Sequence, residues 1–175
     1  MEWEIFLKKE ETFLWSTYYG LLLPIIVKSS RVIYLDGDTL TLKDINEMYN
    51  SNFNDNYVLE FLGRSAWGLD YLGINAYNWI NGGAILLNLK KIRADNKSFA
   101  LLNITNSEIV LPHRDNTVIN LVLFQKIGKL SLKFGMWNFF DKSDIEKFSK
   151  TLRQKINISE YEVVRRDPFN TYFIM

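Results

Sequence analysis

The stretch RVIYLDGDTLTL, residues 31–42, decides how the rest of the chain is read. A short apolar run, rich in β-branched and aromatic residues, stops abruptly at Asp36-Gly37-Asp38. VIYL (32–35) has the composition of a strand buried on both faces. The acidic residues after it admit two readings. Asp-Gly between alternating residues is a hairpin signal, with RVIYL and TLTL as the arms. Alternatively, Asp36 and Asp38 stand at a strand's end, two residues apart and so on one side of it, where they can share a metal ion. Gly37 between them then leaves room for a bulky ligand. A phosphatase of the Asp-x-Asp-x-Thr type is a third option, but Thr39 comes one position too early for that motif.

Composition removes several chemistries. At 175 residues and 47% hydrophobic, the chain can form a globular domain that buries roughly two-thirds of its surface. Its 21 basic and 20 acidic residues leave a net charge of +1, so no overall field draws it to nucleic acid or an anionic membrane. There is no cysteine, which excludes disulfides, zinc thiolate sites and a Cys nucleophile. With His113 the single histidine, a metal has to be held mainly by oxygen, which favours Mn2+ or Mg2+. The opening MEWEIFLKKEE lacks the basic and then apolar regions of a signal peptide. GLLLPIIV (20–27) is too short to span a bilayer and contains Pro24. Both features favour the cytoplasm. The sequons at Asn103 and Asn157 carry little weight in an Asn-rich chain without an export signal.

Outward from the acidic pair, the pattern alternates strands and helices. Residues 11–23 read as a helix that Pro24 closes or kinks. KDINEMYN (43–50) is a short helix with Ile45, Met48 and Tyr49 on one side, SNFNDN (51–56) a loop, and YVLEFLG (57–63) strand-like. AILLNL, within NGGAILLNLKKIR (81–93), is another buried strand. NTVINLVLF (116–124) has helical spacing at Val118, Leu121 and Val122, less cleanly at Ile119. KSDIEKFSKTLRQKI (142–156) is the clearest amphipathic helix, with Ile145, Phe148, Leu152 and Ile156 on one face, Ser143 as N-cap and Glu146 completing a capping box. The whole reads as one α/β domain over residues 1–175.

Four stretches, STYYGLLLP (16–24), RVIYLDGDTLTLKDINEMYN (31–50), NGGAILLNLKKIR (81–93) and RDNTVINLV (114–122), occur in one order. Together they resemble glycosyltransferase family 8, the glycogenin and bacterial galactosyltransferase relatives. The resemblance favours the metal reading of Asp36 and Asp38. It implies a partial GT-A (nucleotide-diphospho-sugar transferase) fold, with a mixed central sheet flanked by helices. The activity implied is transfer of a hexose from a UDP-sugar donor to a carbohydrate or glycosylated acceptor, with retention of configuration and dependence on Mn2+ or Mg2+. Asp36 and Asp38 match the Asp-x-Asp motif that holds the metal against the diphosphate, and Asp36 also matches a contact to the nucleoside or sugar. Asn81 and Gly83 match the Asn-x-Gly where the backbone passes the donor sugar. Asp115 and Asn116 match the Asp-Gln pattern near the reacting sugar carbon.

Departures from the family pattern accompany these matches. Gly20 stands where the family has a donor-binding Arg after Tyr18-Tyr19, and Asn116 stands in place of Gln. The family's C-terminal His motif, which supplies a third metal ligand, has no counterpart, and Tyr172 is the nearest candidate. Only 30 residues precede RVIYLD, so the N-terminal nucleotide-binding strand is expected to be missing. A non-catalytic remnant or fragment of such an enzyme is therefore the alternative reading. HRDNTVIN (113–120) also fits a protein-kinase catalytic loop, but Lys133 replaces the Asp of Asp-Phe-Gly and no Gly-rich loop lies upstream. Trp67, Tyr71, Tyr77 and Trp79 are candidates to stack on an acceptor sugar or to fill the core. Lys90, Lys91 and Arg93 read as a solvated junction between strand and helix.

Overall fold

The computed structural model describes residues 16–60, 79–105, 111, 113–136 and 173–174. In chain order these form a 3-10 helix at Ser16–Leu22, α1 (Leu23–Ile26), β1 (Val32–Leu35), β2 (Leu40–Thr41), α2 (Asn46–Tyr49), β3 (Val58–Glu60), β4 (Ala84–Leu87), α3 (Leu89–Ala94), α4 (Lys97–Thr105), α5 (Arg114–Leu123), β5 (Ile127–Lys129), β6 (Gly135–Met136) and β7 (Phe173–Ile174). Short 3-10 turns at Phe124–Lys126 and Leu132–Phe134 flank β5.

Four strands make a mixed sheet in the order β1-β4-β3-β5. β4 is antiparallel to both its neighbours, and β3 pairs with β5 in parallel. Alternate residues serve opposite faces, as the two-residue period of a strand requires. Val58, Ile85 and Leu87 pack on one side against Ile92, Leu101, Val118 and Ile119 of the helices. Leu59, Ala84 and Leu86 pack on the other against Met48, Phe53 and Phe134. All four β4 residues are buried, each large one contributing about 1.5–3 kcal/mol of transfer free energy. This is the expected α/β arrangement, a mixed sheet flanked by helices. Burial on both faces holds for β4 but not for β1, whose residues are all half-buried at the end of the described sheet.

The hairpin does not form. β1 pairs with β4, from Val32 opposite Leu87 to Leu35 opposite Ala84, while β2 pairs with β7 in a separate three-stranded sheet. The acidic stretch nevertheless turns, since the Thr39 amide donates to the Asp36 carbonyl at 3.0 Å. A two-residue hairpin needs positive φ inside the turn to match the strand twist, and none of residues 36–39 has it.

Other boundaries moved for local reasons. Pro24 opens α1 rather than closing a helix, because a first-turn residue needs no amide hydrogen. Residues 11–15 lie outside the described residues. The helix expected over 43–50 contracts to Asn46–Tyr49, with Met48 fully buried and Tyr49 exposed. The strand at AILLNL ends at Leu87, since Asn88 caps α3 by accepting from the Lys91 amide at 3.1 Å. β3 is described through Glu60, and 61–63 fall outside. α5 starts two residues before Asn116; Val118, Ile119 and Val122 are buried, and Leu121 only half-buried. The amphipathic helix of 142–156 lies outside the described residues, as do Trp67, Tyr71, Tyr77 and Tyr172. Trp79 is buried and belongs to the interior.

The junction Lys90–Arg93 is not simply solvated. Arg93 donates to the carbonyls of Pro24, Val27 and Ser29 at 2.8–3.2 Å, which satisfies the C-terminal end of α1. Lys91 pairs with Asp55 at 2.7 Å and Asp95 at 3.1 Å.

Two charged side chains face each other inside the sheet. Glu60 of β3, fully buried, is the register partner of Lys129 of β5. Burial pushes the Glu60 carboxyl up to about 7, against the opposing pull of Lys129 and of the amides of Asn81 and Gly82. Burial also pushes Lys129 down. Because the folded value of Glu60 lies above its ordinary value of 4.5, the folded protein holds a proton that the unfolded chain has released between these limits. Glu60's contribution to stability is therefore complete below about 4.5 and is lost as pH rises through about 7. Urea denaturation across this window is expected to show wild type losing stability with rising pH relative to Glu60→Gln. Parallel curves for the two proteins contradict the assignment.

Candidate functional site

Strand β1 delivers Asp36 to the edge of the helix-packed face. The two-residue period puts Tyr34 and Asp36 on the same side, close enough for the Asp36 charge to raise the Tyr34 phenol after burial does. Asp36 and Asp38 do not share that relation through a strand, since β1 ends at Leu35 and Asp38 lies in the turn. The turn brings them into electrostatic contact all the same. Asp36 is half-buried and its carboxyl is raised, first by burial and also by the charge of Asp38.

From the other direction, α5 brings Asp115 in its first turn. His113 and Arg114, at φ 57° and 47°, swing the chain into the helix through the left-handed region. Asp115 is pushed up to about 6 by burial, and the charge of Asp36 raises it further, while the Asn116 amide and Arg114 act against the rise. Tyr18 and Tyr34 are both raised, by burial and then by these carboxylates. Asp36 thus feels the charge of Asp38 and is felt by Asp115, beside the phenols of Tyr18 and Tyr34 at one end of the sheet. Like charges held this close favour a cation between them.

The segment before β4 forms the third wall. The Gly83 carbonyl accepts from the Asp36 amide at 2.8 Å and from the Thr39 hydroxyl at 3.3 Å, which ties the acidic turn to residues 81–83. Gly82 has φ 82°, and a Cβ on it would sit 2.3 Å from Asn116 Oδ1. Only glycine fits there, on both backbone and packing grounds. Asn116 Oδ1 is buried against this turn without a hydrogen-bond partner. Gly37 faces open space, with nothing within 4 Å of a built Cβ.

The described site residues singled out in the sequence lie around this turn or beside it. Asp36 neighbours Asp38 and Asp115, Gly83 joins Asp36 through the backbone with Asn81 two residues before it, and Asn116 lies beneath Gly82. His113 is exposed and meets Trp79 edge-on at 6.5 Å. Gly20 lies against Tyr34, whose ring atoms would approach a Cβ at 20 to 3.1 Å. A side chain there would need the Tyr34 ring to yield slightly. A mainly apolar cavity runs below, lined by Gly20, Leu21, Tyr34, Ile85, Asp115 and Ile119 among others.

Sequence reading missed Tyr34, Thr39, Glu60, Asn120 and Lys129. Tyr34 was visible by its two-residue spacing from Asp36. Glu60 is a charge inside the apolar run YVLEFLG, and Asn120 a polar residue on the buried face of α5, where its amide nitrogen donates to the Asn116 carbonyl at 2.7 Å. Thr39 and Lys129 carry no such signal.

The carboxylate oxygens suit a hard divalent cation such as Mn2+ or Mg2+. Among the described residues, no group of three His, Cys, Asp or Glu is assembled to hold one. Asp36 and Asp38 therefore fit an open site, whose other positions fall to water or ligand oxygens. No described helix is long and apolar enough to cross a membrane.

Comparison with known proteins bears on the same region. The model of glycosyl transferase family 8 matches residues 4–164. A putative glycosyltransferase of Haemophilus influenzae is 27% identical over 128 residues, which are 68% of this chain and 38% of that protein. The apo structure of WbbM, a bifunctional glycosyltransferase, superposes with a TM-score of 0.70 at 16% identity, over 94% of this chain and 32% of its own. The galactosyltransferase LgtC, solved with donor and acceptor sugar analogues, gives 0.62 at 19% identity, over 91% and 57%. The chain thus spans well under two-thirds of each of these relatives. Asp115 opens the ten-residue helix α5 rather than lying in a kinase catalytic loop, and the family match removes the kinase reading. A match running from residue 4 to residue 164, around a sheet shared with GT-A glycosyltransferases, shows that the chain belongs to glycosyl transferase family 8.

Proposed function

We propose that this chain binds a UDP-sugar through a divalent cation at Asp36 and Asp38 and serves transfer of its hexose, with retention of configuration, to a carbohydrate or glycosylated acceptor. The observation that carries the proposal is the placing of Asp36 at the end of β1, tied by its amide to the Gly83 carbonyl, where the charge of Asp38 raises the Asp36 carboxyl and the charge of Asp36 raises that of Asp115. Family membership supports a sugar transferase, and the LgtC complex supports a donor and an acceptor as its ligands.

Each residue has a chemical part. Asp36 and Asp38 hold Mn2+ or Mg2+, and Asp36 also faces the nucleoside or sugar. When bound, the ion supplies Lewis-acid stabilisation of the departing diphosphate. Asn81 and Gly83 present backbone to the donor sugar, and Gly82 between them packs against Asn116 of α5. The Asp115 carboxylate stabilises positive charge that develops at the reacting sugar carbon. Asn116, beneath Gly82, fixes the turn against α5.

A second reading, donor binding without turnover, rests on two observations. Among the described residues no third ligand joins the two carboxylates, and the Tyr34 ring rather than a guanidinium lies against Gly20. Misplacement of reacting groups by about 1 Å can cost on the order of 100-fold in rate.

Calorimetric titration is expected to show Mn2+ binding to wild type, tighter with UDP present, and its loss in the Asp36→Ala, Asp38→Ala double variant. Equal heats from both proteins remove the metal site.

UDP release from a panel of UDP-hexoses separates the two readings: turnover by this 175-residue chain that needs Mn2+ and disappears in Asp38→Ala supports transfer, and release that stays at background even with Mn2+ supports donor binding alone.

A further inference from the structure

Residues 79–82 have their backbone gripped by side chains from three elements, those of Glu60 and Asn120 buried and that of Lys129 half-buried. Lys129 of β5 donates to the Trp79 carbonyl at 3.3 Å. Asn120 of α5 accepts from the Ile80 amide at 2.8 Å and donates to the Ile80 carbonyl at 2.7 Å. Glu60 of β3 accepts from the Asn81 amide through both oxygens at 3.0 Å, and from the Gly82 amide at 3.1 Å. A buried carboxylate is costly unless its oxygens are occupied by donors. Here the donors are consecutive amides of one turn, so the carboxylate fixes the direction of that turn. The next carbonyl, Gly83, is the one that receives the Asp36 amide and the Thr39 hydroxyl.

We infer that Glu60 is a positioning residue for the acidic turn: its carboxylate sets residues 81–82, and the Gly83 carbonyl passes that setting to Asp36–Thr39. Glu60 is fully buried and touches no ligand, and its service to metal binding rests on the function proposed above. Asn120 and Lys129 hold the preceding residues of the same turn, so Glu60 acts at its exit. The positioning itself is a property of the protein without metal.

Amide hydrogen exchange of the metal-free chain tests this. Wild type is compared with Glu60→Gln, which replaces one acceptor oxygen by a donor, and with Glu60→Asp, which draws the carboxylate back by one methylene. Ile92→Val, in the core under α3, serves as a control for general destabilisation. The ratio of exchange at the Asp36 and Thr39 amides to exchange at the β4 amides is expected to rise about tenfold or more in both Glu60 variants and to stay constant in the control. Mn2+ affinity is expected to fall at least several-fold in the same two variants. If Glu60→Gln fails to fold, Glu60→Asp carries the comparison. An unchanged ratio in a folded Glu60 variant, or acceleration that Ile92→Val reproduces, overturns the inference. Absence of Mn2+ binding by wild type counts against the proposed function alone, because the exchange ratio is read without metal.

Discussion

The turn at residues 79–83 is the constraint on which the site depends. Backbone that leaves a sheet must find partners for its amides and carbonyls, and burying them unpaired costs about 1–3 kcal/mol each. Here those partners are not water but Glu60, Asn120 and Lys129. Burying two charged groups to hold one turn is unfavourable compared with an apolar packing of the same volume. What it provides is direction. β4 is anchored by its own four buried residues, the turn before it is anchored by polar side chains, and the acidic loop after β1 hangs from the turn's last carbonyl.

That geometry explains how three carboxylates stay together. Each alone could turn to solvent, and mutual repulsion favours that. Asp36 is held by its amide to Gly83. Asp115 is fixed by the first turn of α5, where the Asn116 amide donates to the His113 carbonyl at 3.0 Å. Helix and strand are in turn locked by the apolar cluster that contains Ile85, Val118 and Ile119. The repulsion is thus sustained by packing.

Much of this architecture was legible in the sequence, and for physical reasons. A continuous apolar run such as AILL must be a strand covered on both faces, and it is. The run VIYL looks the same but lies at the end of the described sheet, because burial depends on neighbours that local composition does not encode. Asp-Gly was legible as a turn; whether the flanking strands pair with each other is a long-range matter, decided by the better partner that β4 offers to β1. Asp36, Asp38 and Asp115 were readable as site residues through motif order. Glu60 and Lys129 were not, since their meeting arises from parallel pairing of β3 and β5, strands far apart in the chain. Arg93 likewise gained its role only when α3 came to rest beside the end of α1.

The central claim is that Asp36 and Asp38, after β1, form a divalent-cation site with Asp115 beside it. Paramagnetic broadening by Mn2+ at low occupancy, monitored on assigned backbone amides, tests it most directly. Signals of residues 36–39, 81–83 and 115–116 are expected to broaden first, while those around the exposed Asp55–Lys91–Asp95 ion pairs persist. Broadening centred on Asp55 and Asp95, or spread evenly over the surface acids, would contradict it.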